Sequence, residues 1–312
     1  MSEIHEDLRS LRINHEGDTL SPETLLLNQK LFLVDYSFLD FIPHYKKFIL
    51  YSPQVLLHLN NRGSLELFGI LLRTNKGPRS HIMTRLSPPN KFFFAKMHVA
   101  LADAQAHEFV HHLPLHFIIE AVAIARNNYL GRLMSNRHEY VQIIFLGSHL
   151  IGKILEPHMQ GTIEINFLAQ HTLLRENNPK IDQVVSVGKA GALMLVSNNI
   201  NFKNLNFPQI MAEKGFPEDE SDGVRNFFYR SDGYKLWNIF SRYVTNIVYR
   251  FYLSDTKVKG DNQIQRFASS LANRELGNIT GFPSSIPTRA DLVEVITSII
   301  FAASATHHVR TI

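Results

Sequence analysis

The chain has 312 residues, of which 45% are hydrophobic and 19% charged, and carries a net charge of +4. That composition marks a globular chain long enough to bury one large core or two ordinary ones. It holds 16 histidines and no cysteine. Disulfides, thiolate metal sites and cysteine nucleophiles are thereby excluded, and a transition-metal site must use imidazole and oxygen. The basic residues are scattered rather than clustered, so no nucleic-acid partner is expected.

In chain order, residues 1–30 form a polar lead-in of mixed charge, unlike a signal peptide. Leu31 to Thr74 reads as strands, with a hairpin signal at Asn60-Asn61-Arg62-Gly63 between VLLHL and LELFGILL. Gly77 to Asn90, with three prolines, is a loop. From Lys91 the pattern is helical, and FFFAKMHVALADAQAHEFVHHL runs without a breaker to Pro114, which should kink it or end a turn. Further helices are predicted over Tyr140–Leu155, Thr162–Arg175, Asp182–Ser197, Tyr234–Tyr252, Ile264–Arg274 and Thr288–Ala305, the last capped by Thr288. The apolar run Leu292 to Ala305 carries Glu294 and reads as a core helix, not a membrane span. The expected fold is mainly α with a small β element near the N-terminus. The expected location is cytoplasmic, with membrane contact only transient.

The chemistry concentrates in HEFVHHLPLHFIIE, residues 107–120. On an α-helix, i and i+4 lie about 40° apart and can share a metal. His107/His111 and His112/His116 both qualify. His107-Glu108-Phe109-Val110-His111 matches the zinc-peptidase pattern, with Glu108 as general base. The metzincin extension fails, because Pro114 and Phe117 stand where Gly and His belong. Glu120 or Glu139 could supply a third ligand. His107 and His112, five apart, come together only on a π-bulged turn.

Read outward, AKMHVALADAQAHEFVHHL (95–113), His116 with Glu120, AVAIARNNYL and SHLIGKILEPHMQGTIEINFLAQ (148–170) resemble successive blocks of the lipoxygenase catalytic domain. SDGYKLWNIF and ADLVEVITSIIFAASATHH follow in the same order, and LFLVDYSFLDF with the hairpin resembles the strands upstream. The resemblance spans about Leu31 to Thr311 and implies one partial domain, residues 31–312, incomplete on its C-terminal side. It implies one non-haem iron held by His107, His112 and His307. His111 then makes the H-E-x-x-H accidental, and His116 is an outer or structural residue. Glu120 and His158 are network candidates without assigned chemistry. Thr311 stands at the usual fourth-ligand position, and Ala169 at the small-residue position linked to the stereochemistry of oxygenation.

The chemistry so implied takes hydrogen from a bis-allylic carbon of a polyunsaturated fatty acid. Dioxygen then adds to give a hydroperoxide. Several departures stand out. HHLPLH is one residue shorter than the family spacing, and Gly131 to Leu146 looks inserted. Gln170 and Asn128 replace expected arginines. The chain stops at Ile312, just past His307. A truncated form is therefore expected, impaired or inactive, with apolar surface exposed around Leu292–Ala305. A zinc peptidase and a non-catalytic fragment are the alternatives.

Overall fold

In the computed structural model the described residues are 11–15, 18–44, 49–73, 81–131, 149–172 and 180–307. The expected insertion falls almost wholly outside them, as do Glu139, Thr311 and Ile312. The chain divides into two compact units.

The first unit draws on Met1–Val110, Asn177–Leu195 and Asp219–Phe227. Strands β1 (Ile13–His15) and β2 (Asp18–Leu20) pair with each other, and helix α1 (Pro22–Leu27) follows, its N-cap made by Ser21. Strands β3 (Leu31–Asp35), β4 (Gln54–Leu59), β5 (Leu65–Leu72) and β6 (His81–Met83) form an antiparallel sheet in sequence order. The expected hairpin is β4–β5, closed by the Asn60 side chain, which accepts from the Arg62 and Ser64 amides. Alternation divides the sheet's side chains between two faces. Leu56, Phe68 and Leu71 pack with Leu25 of α1, while Val55, Ile70 and Leu72 pack with Ala95 of the long helix α2 (Pro89–Ala106). The lead-in is thus partly structured. Leu11, Leu20 and Leu25 give it an apolar edge that joins the sheet's core.

α2 runs without interruption through a π-helical turn, His107–His112, into α3 (Leu113–Ala125) and a second π-turn, Arg126–Leu130. This helix has the length and apolar content to cross a membrane. Its α3 portion is instead packed in a helical core, with Ile118 and Val122 almost fully buried. Pro114 is accommodated because it is the second residue of α3, in a first turn that follows the widened one.

The second unit draws on His111–Glu176, Val196–Glu218 and Phe228–Ile312. Its described elements include α4 (Leu150–Leu155), α5 (Thr162–Thr172), α8 (Phe207–Glu213), α9 (Phe228–Phe251), α10 (Asp255–Lys259), α11 (Asn262–Ala272) and α12 (Arg289–Phe301). Between α5 and α8 the helix expected over 182–197 is two, α6 (Lys180–Val184) and α7 (Gly188–Asn199). Gly188, at φ +59°, takes a left-handed conformation that no continuous helix contains. Thr288 caps α12 in a reciprocal capping box with Asp291.

Leu292, Val295, Ile296, Ile299 and Ile300 of α12 are all buried against α3, α9 and α11 residues. The apolar surface expected to be exposed around this helix is therefore not found there. Large exposed side chains lie instead on α9, where Leu236, Ile239 and Tyr243 are 40–51% exposed. α4 lies so close to the second π-turn that a Cβ on Gly152 would overlap the Leu130 carbonyl oxygen. Arg126 fastens the same junction, donating to the Gly152 carbonyl (3.0 Å) and pairing with Glu156.

A buried polar knot holds α4 to the start of α11. His149 Nδ1 accepts from the Ile151 amide, so its Nε2 carries the proton and donates to Asp261 Oδ2 at 3.0 Å. Tyr252 Oη donates to the same oxygen at 2.6 Å, and Asp261 Oδ1 caps α11. Burial alone would raise the Asp261 pKa. The hydrogen bonds from His149, Tyr252 and the Ile264 amide outweigh it and lower the pKa from 3.8 to about 2. A carboxyl with a depressed folded pKa contributes its stability above the unfolded value and loses it as pH falls through the folded one. Acidification from pH 5 to pH 2 is therefore expected to remove about 2 kcal/mol through this group. Urea titrations across that range should show the loss in the native chain and a flatter profile in Asp261→Asn.

Candidate metal centre

Among the described residues, three imidazoles come together in the second unit, those of His112, His116 and His307. Each owes its place to local backbone. His112 is the last residue of the first π-turn, and His116 lies one α-turn further along α3. His307 directly follows a third π-turn, Ala302–Thr306, that extends α12. His116 Nε2 stands 3.1 Å from His112 Nε2 and 2.9 Å from His307 Nε2. One ligand nitrogen from each ring falls within 4.8 Å of the others, and all three residues are half-buried.

The two separations from His116 Nε2 match the spacing of nitrogens that share a metal. Imidazole nitrogens bound at right angles to one first-row ion, at roughly 2.1 Å each, lie roughly 3.0 Å apart. Neutral imidazole donors suit iron, zinc, copper or nickel. Further residues surround the group. His116 Nδ1 meets Asn166 Oδ1 at 2.8 Å, and Asn166 Nδ2 donates to the His116 carbonyl at 3.0 Å and to Glu120 Oε2 at 2.9 Å. A cavity of about 130 Å³ opens beside the rings, lined by Leu115, His116, Ile119, His158, Ala303 and His307 among others. It can take a molecule the size of water or dioxygen. His158 is held by Ser304 Oγ at 2.6 Å, and burial lowers its pKa, so it stays neutral near pH 7.

The residues singled out in the sequence are placed as follows. His112 and His307 meet. His107 opens the first π-turn within the first unit and is not among the three, whereas His116, read from sequence as an outer residue, is. His111 is exposed and also outside the group. Ala169 is half-buried on α5 and does not line the cavity. Asn166 carried no role in the sequence reading. It is 4% exposed on a helix whose Ile165, Phe167 and Leu168 are each more than half exposed.

The lipoxygenase family profile matches residues 2–310. The chain belongs to the lipoxygenase family. Among curated lipoxygenase relatives, the human hydroperoxide isomerase ALOXE3 is 30% identical over 306 residues, covering 93% of this chain and 39% of that protein. The mouse epidermal-type polyunsaturated fatty acid (12S)/(13S)-lipoxygenase is 31% identical over 291 residues, covering 89% and 40%. Human polyunsaturated fatty acid lipoxygenase ALOX12 is 29% identical, covering 91% and 42%. The chain thus spans about two fifths of the length of these relatives. Among solved lipoxygenase structures, a calcium-dependent 11R-lipoxygenase superposes with a TM-score of 0.77 at 27% identity, over 94% of this chain and 42% of that one. The coral 8R-lipoxygenase superposes with a TM-score of 0.80 at 22% identity, over 99% and 45%, which shows the shared fold. The mainly α lipoxygenase fold with a small sheet is the one expected from the sequence.

Proposed function

We propose that this chain carries the iron-holding core of a lipoxygenase-type oxygenase acting on polyunsaturated fatty acids with dioxygen. In this reading His112, His116 and His307 hold the metal. The observation that carries it is the convergence of three imidazole nitrogens at metal-ligand spacing in a chain of this family. When bound, iron supplies the one-electron chemistry that takes hydrogen from a bis-allylic carbon before dioxygen adds.

The chain's own residues supply position and shielding. His112 at the end of the first π-turn, His116 on α3 and His307 after α12 would hold the metal. Leu115, Ile119 and Ala303 line the small cavity with apolar surface, which favours dioxygen over water. His158, neutral and tied to Ser304, puts no second charge beside the metal. The zinc-peptidase reading has no support in the relatives or in the histidine group. Likeness to a hydroperoxide isomerase adds a second substrate class, the fatty-acid hydroperoxide.

The test is purification, anaerobic loading with ferrous iron and metal analysis, followed by incubation with linoleate, arachidonate and a preformed hydroperoxide. One iron per chain is expected, with either conjugated-diene absorbance growing or hydroperoxide being consumed. Failure to retain iron would remove the metal assignment. Iron held without turnover of any of the three substrates would remove the activity.

A further inference from the structure

We infer that a cavity between α3 and the end of α11 binds a short aliphatic amine, whose ammonium group pairs with Glu120. The site lies within the second unit and needs neither a metal nor the ligand set proposed above.

The cavity follows from two facing surfaces. Phe117, Glu120, Ala121 and Ile124 recur at helical spacing along one side of α3. Opposite them stand Leu271, near the end of α11, and the turn at Leu276 and Gly277. That turn is fastened to its helix. The Gly277 amide donates to the Ser270 carbonyl and the Ile279 amide to the Leu271 carbonyl, each at 3.0 Å. A Cβ on Gly277 would come within 2.6 Å of the Leu271 Cα, so the turn is pressed as close to α11 as a backbone can be. The space enclosed is about 240 Å³. An apolar cavity of about 150 Å³ already holds a six-carbon ring, so a chain of similar carbon number fits here together with a head group.

Charge selects the head group. Glu120 is half-buried beside these apolar side chains and is the one charged residue that lines the cavity among the described residues. Asn166 Nδ2 holds its Oε2 at 2.9 Å, and Oε1 takes no hydrogen bond among the described residues. The other polar groups bring no cation. Asn128 contributes an amide, and the Ser270 hydroxyl already donates to the Phe267 carbonyl. Arg126, next along the helix, is committed to the Gly152 carbonyl and to Glu156. A carboxylate ligand, such as a free fatty acid, would meet a like charge here. An alkylammonium instead supplies donors to Oε1 in a charge-assisted bond and lays its chain against Phe117, Ile124 and Leu271. Asn166 is 4% exposed and fixes the carboxylate in place, so little side-chain freedom is lost on binding.

The test compares head groups on one chain length. Hexylamine, hexanol and hexanoate are titrated separately into the native full chain at pH 7, with binding followed by ¹⁵N amide shifts. Hexylamine is expected to move the Ala121 and Gly277 signals and to bind about tenfold more tightly than hexanol, with hexanoate weakest. In Glu120→Gln, which keeps an acceptor for Asn166, the preference for amine over alcohol should fall to within about twofold. Ala121→Leu fills the cavity and should abolish binding of both probes. If a variant fails to fold by circular dichroism, the native order of head groups and the map of shifted amides decide. Hexanoate bound as tightly as hexylamine, shifts remote from the cavity, or no binding of hexylamine overturns the inference. So does an amine preference unchanged in a folded Glu120→Gln. None of these measurements involves iron, so the inference and the proposed function fail separately.

Discussion

Replacing His116 by alanine is expected to abolish stoichiometric iron binding, whereas His107→Ala should retain it. The contrast separates two ligand sets that share His112 and His307. In the structure His116 supplies the central nitrogen, 3.1 and 2.9 Å from its neighbours, and His107 is not in the group. Loss of a direct ligand should exceed the roughly 10- to 100-fold cost of losing an outer partner. Anaerobic titration of the two variants with ferrous iron, each checked for native circular dichroism, gives the answer. If His107→Ala loses the metal and His116→Ala keeps it, the ligands are the ones the family resemblance implies, and the assignment made from geometry is wrong.

The second large effect is on stability. Ile299 is fully buried in α12, two turns before His307, within the core that also holds Ile118, Val122, Val244 and Phe267. Ile299→Ala removes three carbons from a close-packed site and should cost about 2–5 kcal/mol, depending on how far the neighbours collapse. Urea unfolding would read that as a lower midpoint at unchanged slope. The same variant should bind iron less tightly, because the helix it loosens carries one of the three rings. A loss under about 0.5 kcal/mol would show that α12 is not the packed element described here.

Much of this molecule was legible in its sequence. The order of strands and helices follows periodicity and breakers, the β4–β5 hairpin follows Asn-Asn-Arg-Gly, and the cap of α12 follows Thr288 with Asp291 three residues on. The first π-turn was needed to reconcile the five-residue spacing of His107 and His112, and a π-turn is found at His107–His112. Angular spacing had also marked His112/His116 as a pair able to share a metal. The resemblance instead places His116 outside the ligand set and His107 within it. The third ring could not be reached from local spacing, since His307 is 191 residues from His116.

Asn166 was missed for a different reason. Helix faces are read from where apolar residues recur. On α5 the rule is inverted, with Ile165, Phe167 and Leu168 outward and the asparagine inward. The break of α6 from α7 was hidden too, because a glycine inside a helical pattern signals a left-handed turn only once its φ is known.

The widened turn at His107–His112 gives this helix something a regular one lacks, a residue of slack. A regular helix cannot drop a residue without turning everything beyond it by about 100°. A loop of one extra residue can absorb such a loss while the rods on either side keep their packing. The one-residue shortening that the resemblance implies between His112 and His116 falls next to that slack. A shortening at that point would therefore be taken up in the widened turn rather than passed along α3, whose Ile118 and Val122 keep their buried places.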